Sequence, residues 1–376
     1  MKKCIVISDS FKASLGSIEI CEIAEKTILD IYPECEVISL PVADGGEGTV
    51  DCFLHALQGE RVVTKAHGPY MEEMKVTYAK ITNTVIIEMS SCAGLPLVGE
   101  RKNPSLTTTY GVGEQIYHAV KNGATNIILG LGGSATNDCG CGCAAALGVE
   151  FRDSEGREFL PTGGNLSKIA HIDTTKAKEL LKGVKLTAMC DIDNPMFGKT
   201  GAAHIFGPQK GADMAMVRML DNELKAIDKT IKKELNIHVS QVPGAGAAGA
   251  MGAGVMAFLG AELKPGIETV LDIVDFDEKL KGADIVFTGE GKIDSQSMRG
   301  KVVYGVATRA KKHNVPVVAI VGDVDDDAYE VYDIGVSAIF SINRIATPFE
   351  IAKTRSNKDY ANTLRDILKF MQVIIK

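Results

Sequence analysis

Short apolar runs alternate with stretches of helical period at both ends of the chain. Residues 3 to 8 read as a strand, and a polar loop, DSFKASLG, follows. Ile20, Ala24, Ile28 and Ile31 then recur at helical spacing, which predicts a helix over residues 18 to 31 with Ser17 as its N-cap and Glu19 in its first turn. A second strand, residues 36 to 40, runs into PVADGGEGT and another helix through Phe53, Leu54 and Leu57. The C-terminal stretch repeats this style. ADIVFT, VPVVAIV and VSAIFSI are strands, and residues 301 to 313 and 360 to 374 are helices after or between them. The pattern changes after residue 61, where RVVTKA, KVTYAKI and TVIIEMS alternate as short antiparallel strands with a turn at Thr82 and Asn83. Helices are expected over 107 to 122 and 214 to 235, with the strand KLTAMC between them. Like patterns at both ends around a different middle predict an interrupted α/β domain. Residues 1–60 and 283–376 would form a Rossmann/flavodoxin-like parallel sheet, and 61–282 an inserted mixed α/β domain; the alternative is two sequential domains meeting near residue 180.

Within the middle, NIILGLGGSATNDCGCGCAAALGV reads as strand, glycine-rich loop and helix in succession. Glycines at 130, 132 and 133 allow close backbone approach, and Asn137 or Asp138 is placed to cap the helix. A helix N-terminus after such a loop is suited to a phosphate. Gly132, Gly133, Ser134 and Thr136 are the candidate phosphate contacts. The alternative is a tight turn whose glycines serve packing alone. No Walker A lysine follows, so any nucleotide is handled outside the P-loop architecture.

Composition narrows the partners. At 376 residues two domains are expected, and no apolar run is long enough to cross a bilayer. MKKCIVISDSFK lacks a secretory apolar core, and nine cysteines form an odd set, so a reducing, cytoplasmic location is expected. C-G-C-G-C at Cys139 to Cys143 has poor spacing for zinc and reads as small buried thiols. A net charge of −7 offers no footprint for nucleic acid, which leaves a small-molecule partner.

Loops after the strands of a parallel sheet share one edge, where ligands bind. Asp9, Ser10 and Lys12 follow the first strand. Asp44 and Glu47 follow the second, Asp191 and Asp193 close KLTAMC, and Glu290, Lys292 and Asp294 follow ADIVFT. Each carboxylate alone reads as solvated surface. Together, beside a phosphate loop, they suit Mg²⁺ with a nucleotide, because Mg²⁺ takes one or two carboxylates plus phosphate oxygens. Lys12 adds positive charge for a phosphate or an anionic substrate. A second run, V-P-G-A-G-A-A-G, carries G-x-G-x-x-G at Gly244, Gly246 and Gly249. It admits three readings: a small-residue helix packed closely, a phosphate or adenosine contact at Gly246, or a NAD site.

D-S-F-K-A-S-L at Asp9, A-D-G-G-E-G-T at Ala43, G-L-G-G-S-A-T-N-D at Gly130, C-D-I-D-N-P at Cys190, G-P-Q-K-G-A at Gly207, V-P-G-A-G-A-A-G at Val242 and T-G-E-G-K-I-D at Thr288 together resemble the type I glycerate kinases. The resemblance spans essentially the whole chain. It implies ATP-dependent phosphorylation of D-glycerate to 2- or 3-phosphoglycerate with Mg²⁺, by a monomer or homodimer whose active site lies in the cleft between two α/β domains. On that reading Asp191 or Asp193 deprotonates the glycerate hydroxyl or holds Mg²⁺, with Asp191 favoured as the base, Lys12 as its catalytic partner, and Asp193 and Asp294 as metal ligands. Asp9, Ser10, Asp44, Glu47 and Arg299 would bind glycerate, Arg299 by a bidentate hold on its carboxylate. Gly246 and Glu290 join the nucleotide contacts. The rival functions are a NAD-linked oxidoreductase built on Gly244 to Gly249 and a non-catalytic sensor of small acids.

Overall fold

The computed structural model describes residues 1–43, 45–294 and 301–374. It is an α/β chain that divides into two compact units. The first comprises residues 1–43, 51–58 and 265–376, and the second residues 44–50 and 59–264.

The first unit holds a five-stranded sheet in the order Val336–Ser341, Val317–Val321, Ile285–Gly289, Lys3–Ser8, Glu36–Ser39. Every pairing is parallel. Numbered by their sequence within the unit, the strands run 2-1-3-4-5, the flavodoxin-like order, whose switch point lies between Lys3–Ser8 and Ile285–Gly289. Both faces are covered. Val318 and Ile320 pack with Cys4, Val6 and Phe287 on one side, joined by Ile20, Ala24 and Ile28 of the helix Ser17–Leu29 and Leu364 and Leu368 of the helix Ser356–Ile374. Ala319 and Val321 face the other way, onto Val303 and Ala307 of the helix Val302–Lys312. The period-two alternation of a strand thus supplies two cores from one apolar run.

Ser17 departs from its expected role. The helix begins at Ser17 itself, with Gly16 at the cap position, and the buried hydroxyl donates to Ser8 O at 2.6 Å and accepts the Val42 N–H at 2.8 Å. It ties the ends of two strands together instead of closing a helix end.

The second unit holds a six-stranded mixed sheet whose strands lie in sequence order: Glu60–His67, Glu73–Ile81, Thr84–Glu88, Asn126–Gly130, Lys185–Met189, Glu262–Lys264. The first three pair antiparallel and the rest parallel. Parallel strands need both faces covered, and here they pack into one continuous core with the helices Tyr110–Lys121, Met214–Leu235 and Ala247–Leu259.

Candidate active site

Strand, glycine-rich loop and helix follow one another in the second unit as expected. Ten residues separate the strand Asn126–Gly130 from the helix, which spans just Cys141–Ala146. Its buried first turn is served by Asp138, whose carboxylate accepts the N–H groups of Gly140 and Gly142, both at 3.2 Å, and of Thr109 at 2.8 Å. No helix-dipole cradle is left over for an anion. Of the two expected caps, Asn137 and Asp138, it is Asp138 that takes the role.

What the loop offers instead is a polar interior. Gly132 donates its N–H to Gly45 O at 3.1 Å, and a Cβ at Gly132 would sit 2.5 Å from Gly46 Cα. Gly133 adopts φ +71°. Ser134, Thr136, Asn137 and Asp138 are all buried, and so is Lys210, which sits 76 residues away in sequence from Ser134. Lys210 Nζ donates to Ser134 Oγ and to Thr136 O, each at 2.7 Å. Burial pushes the Lys210 ammonium down to about 7, opposed by the charge of Asp138, and burial in turn pushes the Asp138 carboxyl up. Thr136 Oγ1 and both amide atoms of Asn137 have no hydrogen-bond partner among the described residues. A buried polar atom left this way costs about 1 to 3 kcal/mol, so three in adjacent residues point to a group the loop receives.

The glycine pattern at Gly244 has no strand before it; residues 238–242 are irregular and turn. Gly246 donates its N–H to Asn194 O at 2.9 Å, and a Cβ there would lie 2.3 Å from Pro195 O. Ala248, Gly249 and Ala250 all have positive φ, and a Cβ at Gly249 would meet Thr136 O at 2.1 Å. This run therefore packs against the 191–195 turn and the glycine-rich loop. The strand-turn-helix context of a dinucleotide fingerprint is missing.

Asp191 and Asp193 are both exposed on the turn after Lys185–Met189, with Ile192 half-buried between them. Glu47 is exposed in the segment that also holds Gly45. That segment is anchored by Glu88, a buried carboxylate at the end of its strand, whose Oε1 accepts the Val50 N–H at 2.6 Å.

In the first unit the loops after Lys3–Ser8 and Ile285–Gly289 meet at the switch point. Asp9 N–H donates to Gly289 O at 2.9 Å, and Ser10 N–H to Asp9 Oδ1 at 2.7 Å. Lys12 is exposed at the tip of a tight loop closed by Phe11 N–H to Leu15 O at 2.8 Å, with both Phe11 and Leu15 buried. Gly291 lies against Phe11 and Lys12; a Cβ there would be 3.5 Å from the Lys12 nitrogen. Glu290 is buried, and Lys301 Nζ stands 3.8 Å from both Glu290 Oε2 and Asp294 Oδ1. Lys292 turns aside to Asp325 at 2.6 Å. The structure thus gathers Asp9, Ser10, Lys12, Glu290 and Asp294 on one edge of the first unit. Gly132, Gly133, Ser134, Thr136, Gly246, Glu47, Asp191 and Asp193 belong to the second. Asp44 and Arg299 lie outside the described residues.

Sequence reasoning missed Lys210, Glu88 and Lys301. Lys210 is the single cation in G-P-Q-K-G-A, and Glu88 the single carboxylate ending an apolar strand; both are signals of a charge the fold buries deliberately. Among the described residues no three metal-ligating side chains cluster. Mg²⁺ held partly by phosphates needs no such cluster, and the exposed pair Asp191 and Asp193 supplies hard oxygen donors of the right kind.

A family model described as the glycerate kinase family matches residues 4–372. A glycerate kinase of Bacillus cereus is 44% identical over 368 residues, covering 97% of each chain. A glycerate 2-kinase of Escherichia coli is 45% identical over 343 residues, 90% of each. A crystal structure of a Salmonella typhimurium protein described as a glycerate kinase 2 superposes with a TM-score of 0.88 at 37% identity, over 99% of this chain and 98% of that one.

Proposed function

The chain belongs to the glycerate kinase family, and from that premise we propose that it transfers the terminal phosphoryl group of ATP to the 2-hydroxyl of D-glycerate, with Mg²⁺. The observation that carries this reading is the 44% identity to a glycerate kinase across 97% of both chains; the family match over residues 4–372 takes in every loop described above. The choice of the 2-hydroxyl rests on the Escherichia coli relative's name.

Phosphoryl transfer asks the protein for positioning and charge neutralisation more than covalent chemistry. The bond from the terminal phosphorus to the bridging oxygen of ATP breaks as a bond from the glycerate hydroxyl oxygen forms, and the hydroxyl proton passes to Asp191. Asp193 would help to hold Mg²⁺, which neutralises charge on the phosphoryl oxygens when bound. In the second unit, the loop of Ser134, Thr136 and Asn137 receives phosphate groups, its orphaned buried atoms finding partners there. In the first unit, Lys12 faces an anion, with Asp9 and Ser10 ordered beside it by the Asp9 carboxylate. Asp294 is already engaged by Lys301, which makes Asp193 the better metal ligand of the two.

Incubation with ATP, Mg²⁺ and D-glycerate, followed by phosphorus and proton NMR of the product, tests the proposal. 2-Phosphoglycerate is the expected product. 3-Phosphoglycerate would overturn the position of attack, and no phosphoglycerate at all would overturn the activity.

A further inference from the structure

Lys210 is carried on the short turn Pro208–Lys210 and is nine-tenths or more buried, yet both of its hydrogen bonds reach across to a single stretch, Ser134 Oγ and Thr136 O. A neutral hydrophobic residue would fill that interior at lower desolvation cost. Two features of the stretch it grips point to a ligand. Among the described residues, Thr136 Oγ1 is buried with no hydrogen-bond partner, and the same holds for both amide atoms of Asn137. We infer that Lys210 is a positioning residue for the nucleotide: it clamps residues 134–136 into the shape that receives phosphate. This rests on the assignment of the loop to nucleotide phosphates.

The electrostatics support that geometry. Burial holds Lys210 near 7, and Asp138, which faces it from the same loop, is the charge opposing the shift. On the flanking helices His204 and Asp221 face each other at 3.9 Å, with Lys225 on Asp221 at 2.6 Å. In the free protein the amine is therefore largely neutral above pH 7. An anion set against the loop favours the charged form and raises its pKa. The sign follows: above the free-state pKa, each unit of pH must weaken phosphate binding, by up to about tenfold, until the bound-state pKa is reached.

The test is calorimetric titration of the full chain with a non-hydrolysable ATP analogue and Mg²⁺, between about pH 7.5 and about pH 8.5, where the second phosphate ionisation, near 6, is complete. Wild-type affinity should fall about fivefold to tenfold across that window, with net proton uptake seen by comparing two buffers. Lys210→Met should bind about tenfold or more weakly at neutral pH and show no such slope. Lys210→Arg, always charged, should lose the slope while keeping much of the affinity. The KM for glycerate should change little, so the effect separates nucleotide positioning from general damage. Should Lys210→Met fail to fold, Lys210→Gln takes its place with the same expected loss of affinity. A folded Lys210→Met or Lys210→Gln that binds like wild type overturns the inference. A wild type that shows the slope but phosphorylates no glycerate overturns the proposed function and leaves the role of Lys210 standing.

Discussion

The backbone N–H of Gly132 donates to the carbonyl of Gly45 at 3.1 Å, locking two glycine-rich loops together by main chain alone. The approach is close enough that a Cβ at Gly132 would fall 2.5 Å from Gly46 Cα, and one at Gly130 2.2 Å from Gly45 O. Both obstacles are backbone and cannot swing aside. Gly132→Ala should therefore destabilise the protein by about 1 to 3 kcal/mol, as overpacking of a close contact does. Thermal melts would show it, and an unchanged melting temperature would mean the loops do not meet this way.

Asp191 is expected to accept the proton of the glycerate hydroxyl. Asp191→Asn should lower kcat by on the order of a hundredfold or more, the range for a lost general base, while affinity for an ATP analogue stays within a few fold. If the side chain only shapes the turn before Asn194 and Pro195, Asn would replace it nearly silently. Steady-state kinetics with D-glycerate separate the two outcomes.

Lys12 stands on an exposed tip whose base is pinned by buried Phe11 and Leu15. Lys12→Met should therefore fold normally and lose most turnover, with about 1.5 to 3 kcal/mol of a charge-assisted bond to the anion removed, or roughly tenfold to a hundredfold in rate. Wild-type kcat with an intact melting transition would remove Lys12 from the mechanism.

The buried Lys210 also makes stability depend on pH. Its folded-state pKa of about 7 lies below the ordinary 10.5, so between those values the unfolded chain binds a proton that the folded chain does not. Stability supplied through this group rises with pH across that window and is lost as pH falls toward 7. Denaturation of wild type and Lys210→Met at several pH values between 7 and 10 should show the wild type gaining on the variant as pH rises. Parallel curves would contradict it.

Chain ends that share one sheet make a further expectation. Lys3–Ser8 pairs with Ile285–Gly289, so a fragment of residues 1–280 keeps only two strands of the first sheet and exposes an unpaired edge. We expect it to be insoluble or molten, by solubility and near-ultraviolet circular dichroism. A cooperatively melting fragment of that length would count against a first domain built from both ends.

Local period carried far in this chain. IVIS, IVFT and VVAIV read as buried parallel strands because each is a short, mostly apolar run, and the helix Met214–Leu235 was legible because Val217, Leu220, Leu224, Ile227 and Ile231 recur at helical spacing. Seven motifs spaced over the chain were enough to name the family. None of this required knowing which segments touch. Tertiary structure decided the rest, because burial and pairing across long separations leave no period to read. Ser17 looked like a cap until Ser8 and Val42 claimed its hydroxyl. Gly246 belongs to a nucleotide fingerprint in sequence, but in the fold Pro195 O occupies the space a side chain there would take. Lys210 stood in the motif G-P-Q-K-G-A without a role, since only packing puts it inside the loop of Ser134 and Thr136 and lowers its pKa by stripping away water.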